Sequence, residues 1–166
     1  MVEKLKMIWQ DAKQLKDERG LTLVELLVVV VILGIIAAIA VVAIGGIIEN
    51  SRKDAMVADA RQMISSAKLY TASNPVSAAT TMNFVGTTTG SDVDGTQYVD
   101  SLKDPFNSNN AYTTGKVIIT PAAGGKYTYT VQLVGSEKAI GQATAVAESA
   151  LSKSSVVNKT TASTTP

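Results

Sequence analysis

Residues 19–48 read RGLTLVELLVVVVILGIIAAIAVVAIGGII, an apolar run with one carboxylate, Glu25, near its start. From Leu26 to Ile48 there are 23 residues without a charge or a hydroxyl, of which 16 are Val, Ile or Leu, four Ala and three Gly. As a helix rising about 1.5 Å per residue, this run covers the roughly 30 Å hydrocarbon core of a bilayer. It is therefore a candidate single membrane span. A plain span does not account for Glu25, because a carboxylate in hydrocarbon costs at least about 3 kcal/mol and marks a functional position that needs a partner.

Gly20-Leu21-Thr22-Leu23-Val24-Glu25 followed at once by the apolar run resembles the class III signal of type IV prepilins and pseudopilins. The resemblance implies a cut between Gly20 and Leu21 by a membrane prepilin peptidase and N-methylation of Leu21 by the same enzyme. It also implies filament assembly through Leu21 and Glu25. Most mature chains of the family begin with Phe, so Leu21 departs from the pattern while keeping an apolar first residue. Such a cut precedes the apolar run and leaves it in the product, whereas a secretory signal peptide loses its apolar core.

The cut would give Leu21 a free amine inside the apolar layer, and that amine and Glu25 would each lack a partner there. Opposite charges about 4 Å apart attract by about 4 kcal/mol at an effective dielectric near 20, comparable with the cost of burying the acid. The pair can form within one chain or between neighbours, and the family resemblance implies the second.

The 166 residues carry 15 Lys plus Arg against 14 Asp plus Glu, with no cysteine and no histidine. Five of the basic and four of the acidic residues lie in residues 1–20, leaving ten of each beyond the expected cut. Balanced charge gives no electrostatic footprint for nucleic acid. Without cysteine there is neither a disulfide framework nor a thiolate metal site, and without histidine the commonest general base and metal ligand is missing. No catalytic site, cofactor or metal is expected. Many Gram-negative pilins close a C-terminal loop with a disulfide, so the resemblance points toward the lineages without one, such as those of Gram-positive bacteria.

Outward from the apolar run, residues 1–20 form the expected leader. Leu5, Ile8, Trp9, Ala12 and Leu15 fall near one side of a helix, compatible with the cytoplasmic membrane face and equally with a soluble leader. On the other side the helix is expected to continue, with residues 21–48 the membrane or filament-core half and residues 49–72 an amphipathic half. There Met56, Ala60, Met63, Ala67 and Tyr70 recur at spacings of four and three. Asn74-Pro75 ends the helix. Gly34, Ala38, Gly45 and Gly46 are small residues suited to close helix packing. Many pilins place a proline partway down this helix. Here Val42 stands in that place, so Gly34 and Gly45-Gly46 are the expected sites if the helix melts, since glycine costs about 1 kcal/mol relative to alanine.

Residues 73–151 are expected to form a globular head. Ser73 to Gln97 reads as a long connection with a helical turn near Met82 to Val85, and Asp92-Val93-Asp94-Gly95 as a solvated turn. The segment ending in Asp104-Pro105-Phe106 is similar to one preceding the sheet in major pseudopilins and some Gram-positive pilins. Asp-Pro makes a turn that the aromatic can anchor. Lys116–Thr120 and Lys126–Val134 read as a β-hairpin around Pro121–Gly125, with Tyr127, Tyr129, Val131 and Leu133 on the buried face. Residues 135–151 suggest a weak amphipathic helix or an irregular docking segment, and residues 152–166 a disordered Ser/Thr tail.

The expected fold class is therefore α+β and pilin-like: a long N-terminal helix packed under a small antiparallel sheet. The expected function is structural, a major pilin polymerised into a filament for adhesion, motility or DNA uptake. The alternatives are a pseudopilin of type II secretion or competence, and a single-pass anchored binding domain that never polymerises. The implied partners are copies of the chain itself, a prepilin peptidase/methyltransferase, an assembly ATPase, a polytopic platform protein and minor pilins. Before assembly the chain would sit in the cell membrane with its N-terminus cytoplasmic, and afterwards in an extracellular pilus.

Overall fold

A computed structural model of the protein describes residues 2–160 except 87, 89, 108 and 109, and the side chains of these except 2 and 12–21. The chain divides into two compact units, Met1–Ile47 and Ile48–Pro166. Helix α1 (Val2–Ser73) supplies all of the first unit that is described and the opening segment of the second. The expected leader is thus helical too, since no proline precedes Pro75 to stop it.

In the first unit, every described side chain from Thr22 to Ile47 is exposed, Val42 to 80%. This stretch opens a helix with a mean hydropathy of 3.5 in its most apolar window, long and apolar enough to cross a membrane. Its apolar residues go all the way round, and such a surface requires lipid or other helices.

In the second unit α1 turns amphipathic. Met56, Ala60, Met63 and Ala67 are wholly buried, as their spacing requires, and Val57 and Ile64 widen the buried stripe while Tyr70 packs at its edge. That stripe shares one core with Val117 and Ile119 of β3 (Thr114–Ala122) and Val131 and Leu133 of β4 (Lys126–Val134). The two strands pair antiparallel from Thr114↔Val134 to Ala122↔Lys126. Gly124 and Gly125, at φ of 76° and 72°, turn between them in the left-handed region that glycine enters freely. Tyr127 and Tyr129 lie half-buried against the core on the expected face.

The sheet is larger than the hairpin. Among the described residues its seven strands run β2 (Val93–Asp94), β1 (Thr80–Val85), β3, β4, β5 (Lys138–Ile140) and β7 (Val156–Asn158), with β6 (Val146–Ala147) also on β4. Met82 to Val85, read as a helical turn, lies in β1 (Thr80–Val85), where Met82 and Phe84 point into the core and Thr81, Asn83 and Val85 are half-buried between them. β2 (Val93–Asp94) joins β1 in parallel, so the sheet is mixed and not purely antiparallel. The helix suggested for residues 135–151 is absent. Gly141, at φ 68°, bends the chain back, and the segment forms β5 (Lys138–Ile140), β6 (Val146–Ala147) and a 3-10 turn. The expected tail also differs in its first part. β7 (Val156–Asn158) pairs with β5 because Val156 and Leu151 have places in the core. Residues 161–166 lie outside the described residues.

Two carboxylates tie loops to this framework. Asp104 is only 1% exposed. Its Oδ1 accepts the Phe106 N–H at 2.9 Å, and its Oδ2 accepts the Ser136 N–H at 2.6 Å and hydroxyl at 2.7 Å. The Asp-Pro-Phe turn is thereby fixed to the far end of β4. Gly135 must be glycine there, because a Cβ would lie 2.6 Å from Asp104 Oδ2. Asp59, half-buried on α1, accepts the Tyr112 hydroxyl at 2.6 Å. Burial holds the Asp59 carboxyl above its usual range despite that bond, and pushes the Tyr112 hydroxyl up with Asp59 reinforcing the shift.

Asp104→Ala leaves two backbone donors and a hydroxyl without their partner at a half-buried place, and is expected to cost about 1–3 kcal/mol in denaturant unfolding of the detergent-solubilised chain. A loss near zero would mean the clip carries no stability. For Asp59 the folded chain binds the proton more readily than the unfolded one, so this group's contribution to stability falls as pH rises from about 4 through the raised folded value. Asp59→Asn removes that dependence. The variant should gain on the wild type across that window and hold a constant difference above it, as read from unfolding midpoints. A difference independent of pH throughout would refute it.

Candidate functional site

The candidate site is the first unit's helix, built on the residues the sequence singled out. Gly20 and Leu21 lie within α1 with helical backbone, and the Leu21 side chain is outside the described set. Glu25 follows one turn later, about 6 Å along the axis. Its side chain is exposed, flanked by Leu23, Val24, Leu26 and Leu27, themselves between 61% and 69% exposed. None of the four ion pairs among the described residues involves Glu25. A lone carboxylate therefore stands at the start of a bare apolar surface.

Gly34 and Ala38 stand one turn apart, and Gly45, two turns further, falls on the same line at 3.6 residues per turn. Gly46 lies next to that line. Nothing is within 4 Å of a Cβ built on Gly34, Gly45 or Gly46. The small residues are thus not demanded by packing within the single chain. The helix runs unbroken through all of them.

The second unit offers other polar clusters. Asp92 accepts from the Asn83 amide, and Asp94 accepts the N–H and hydroxyl of Thr96, which hold its carboxyl below the usual range. Among the described residues no three Asp, Glu, His or Cys side chains come together as a metal site. Glu49, exposed just beyond the apolar run, pairs with Lys53 at 3.0 Å and Lys138 at 3.2 Å. The hydrogen bonds from Lys53 and Lys138 hold its carboxyl below the usual range. Sequence inspection missed this cluster and the Asp104 clip. No short motif brings Glu49 and Lys138 together, since they are 89 residues apart.

No curated protein and no solved structure matches the chain significantly. Residues 15–41 match the family described as the prokaryotic N-terminal methylation motif. The match takes in Gly20, Leu21, Glu25, Gly34 and Ala38, and leaves Gly45, Gly46 and the whole second unit outside it. Joined to an apolar helix able to cross a membrane and to an α+β unit beyond it, this motif gives the chain the N-terminal signal of a type IV pilin-like or pseudopilin-like prepilin.

Proposed function

We propose that the chain is the major structural subunit of a type IV pilus-like filament. It is made as a membrane-held precursor, cut between Gly20 and Leu21 by a prepilin peptidase that also methylates Leu21, and polymerised through its N-terminal helix. The observation that carries this proposal is the pairing of a bare apolar helix, Leu26–Ile48, with one carboxylate at its edge that forms no ion pair among the described residues. In a bundle of like helices both are satisfied. The apolar residues replace lipid with each other, and Glu25 meets the free amine of a neighbour's Leu21, with an attraction of about 4 kcal/mol at an effective dielectric near 20. The open space beside Gly34, Gly45 and Gly46 supports close helix approach there.

Energetics also call for the remaining partners. Exposing 16 large aliphatic residues to water, at roughly 1.5–3 kcal/mol each, opposes spontaneous release by tens of kcal/mol. The subunit has to pass directly from lipid into the bundle, driven by a cytoplasmic assembly ATPase acting through a polytopic platform protein, with minor pilins starting the filament. The role is structural and not enzymatic. The filament's surface tasks, adhesion, motility or DNA uptake, would fall to the head.

The test is mass spectrometry of the N-terminus of chains sheared from the cell surface. Methylated Leu21 is expected; an intact Met1 in that material would overturn the proposal, and processed chain confined to membranes would favour a pseudopilin. Glu25→Ala should leave the amount of membrane-held chain unchanged and lower surface filaments at least tenfold, as counted by electron microscopy. Wild-type filament numbers in that variant would remove Glu25 from assembly. Gly20→Asp should leave the precursor uncut on an immunoblot, and a product of unchanged shortened size would place the cut elsewhere.

A further inference from the structure

The C-terminal strand is held by little. β5 and β7 have three residues each and share three register pairs, Lys138↔Asn158, Ala139↔Val157 and Ile140↔Val156. The chain has no cysteine to pin β7 with a disulfide. At the open end of this short ladder the directly opposed pair is a lysine and an asparagine, whose side chains leave the sheet on the same face. Lys138 Nζ donates to Asn158 Oδ1 at 2.7 Å, so the amine stands against the amide group whose carbon is one bond away. Glu49 Oε1 stands 3.2 Å from the same nitrogen and is held there by Lys53 at 3.0 Å. The Phe106 ring lies over Lys138 Nζ at 5.7 Å, with its turn fixed by the Asp104 clip, and leaves the Lys138 side chain only 17% exposed. An amine, a carboxamide and a carboxylate thus meet around one nitrogen, partly covered by an aromatic ring.

We infer that Lys138 and Asn158 are the site of an intramolecular isopeptide bond formed with Glu49 as the proton carrier. Glu49 takes one proton from the Lys138 ammonium, and the freed amine pair attacks Asn158 Cγ, making the Nζ–Cγ bond. Glu49 passes that proton to Asn158 Nδ2 and takes the second proton that Nζ must lose; the Cγ–Nδ2 bond breaks, and the departing ammonia carries this second proton away from Glu49. No oxidant, reductant or second substrate enters, and the products are one amide and one ammonium ion. The two side chains are held together by strand register, and groups fixed in this way react as if at effective molarities of about 10⁵ M or more. Proton transfer by a positioned carboxylate lowers the barrier further. The reaction need occur only once in the life of each chain, and the departure of ammonia makes it one-way. Its product would close the 21 residues from Lys138 to Asn158 into a covalent loop that holds β7 on the sheet. Nothing in this inference depends on the filament assignment.

The intact mass of the full chain purified from membranes tests it, with any loss of residues 1–20 read from the same spectrum. The wild type should be lighter than its sequence by one ammonia, and proteolysis should release a branched peptide joining Lys138 to Asn158. Lys138→Arg, which keeps the cation and its pairing, and Glu49→Gln should both restore the full mass. A wild-type chain of full mass would overturn the bond. Loss of ammonia that persists in Lys138→Arg would also overturn it, since an asparagine can lose ammonia to its own backbone. A branched peptide in Glu49→Gln would remove the role given to Glu49.

Discussion

The protein is built around a surface that cannot be left in water. From Leu26 to Ile48 the helix is apolar on every side, and its side chains are exposed in the single chain. At roughly 1.5 kcal/mol or more for each large aliphatic residue, this surface outweighs any other interaction in the molecule. Beyond Ile48 the same helix becomes one-sided, with Met56, Ala60, Met63 and Ala67 buried and Arg52, Asp54, Arg61 and Lys68 outside. The change from an all-round to a one-sided pattern marks where the chain stops requiring an apolar solvent and begins to make a core of its own.

That core carries most of the second unit's stability. Ion pairs such as Lys68–Glu148 and Lys153–Asp54 join exposed groups, and exposed pairs are each worth about 1 kcal/mol or less. The wholly buried Met56, Met63, Met82, Ile119, Leu133 and Ile140 outweigh them by area alone. What the core does not do is hold the loops, which are long and rich in Ser, Thr and Asn. Polar anchors hold them instead. Asp104 fixes the Asp-Pro-Phe turn, Asp59 and Tyr112 fix the chain entering β3, and the Gln142 side chain pairs with the Thr160 backbone through both its amide atoms. In a chain without disulfides these are the groups whose loss would free whole segments.

The sequence disclosed the parts that a repeated pattern specifies. The apolar run, the four-and-three spacing from Met56 to Ala67 and the alternation Tyr127, Tyr129, Val131, Leu133 each extend over several turns or pleats, long enough for periodicity to stand out. β1 did not, because its pattern rests on Met82 and Phe84 alone within a Thr- and Ser-rich stretch. β5 and β7 did not either. Each is three residues long, and each earns its place by tertiary contacts of Ile140 and Val156 that no local window contains. Of the candidate site, Gly20, Leu21 and Glu25 were legible because they fall within six consecutive residues at the edge of the apolar run. The cluster of Glu49, Lys138 and Asn158 was not, since it is assembled from a helix and two strands far apart in sequence.

The division of labour between the two units follows from these constraints. On the proposed reading, a helix used for polymerisation has little freedom. It must stay apolar to remain in lipid, and on the proposed reading it must keep one acid in register with a neighbour's amine. Any second charge in Leu26–Ile48 would cost about 3 kcal/mol or more without a partner. The head has no such restriction on its outer face, where a polar substitution away from the anchors changes stability by about 0.5 kcal/mol or less. On the proposed reading, the task of the filament would therefore be set by the exposed strands and loops of the head, and the helix would decide only that there is a filament to carry them.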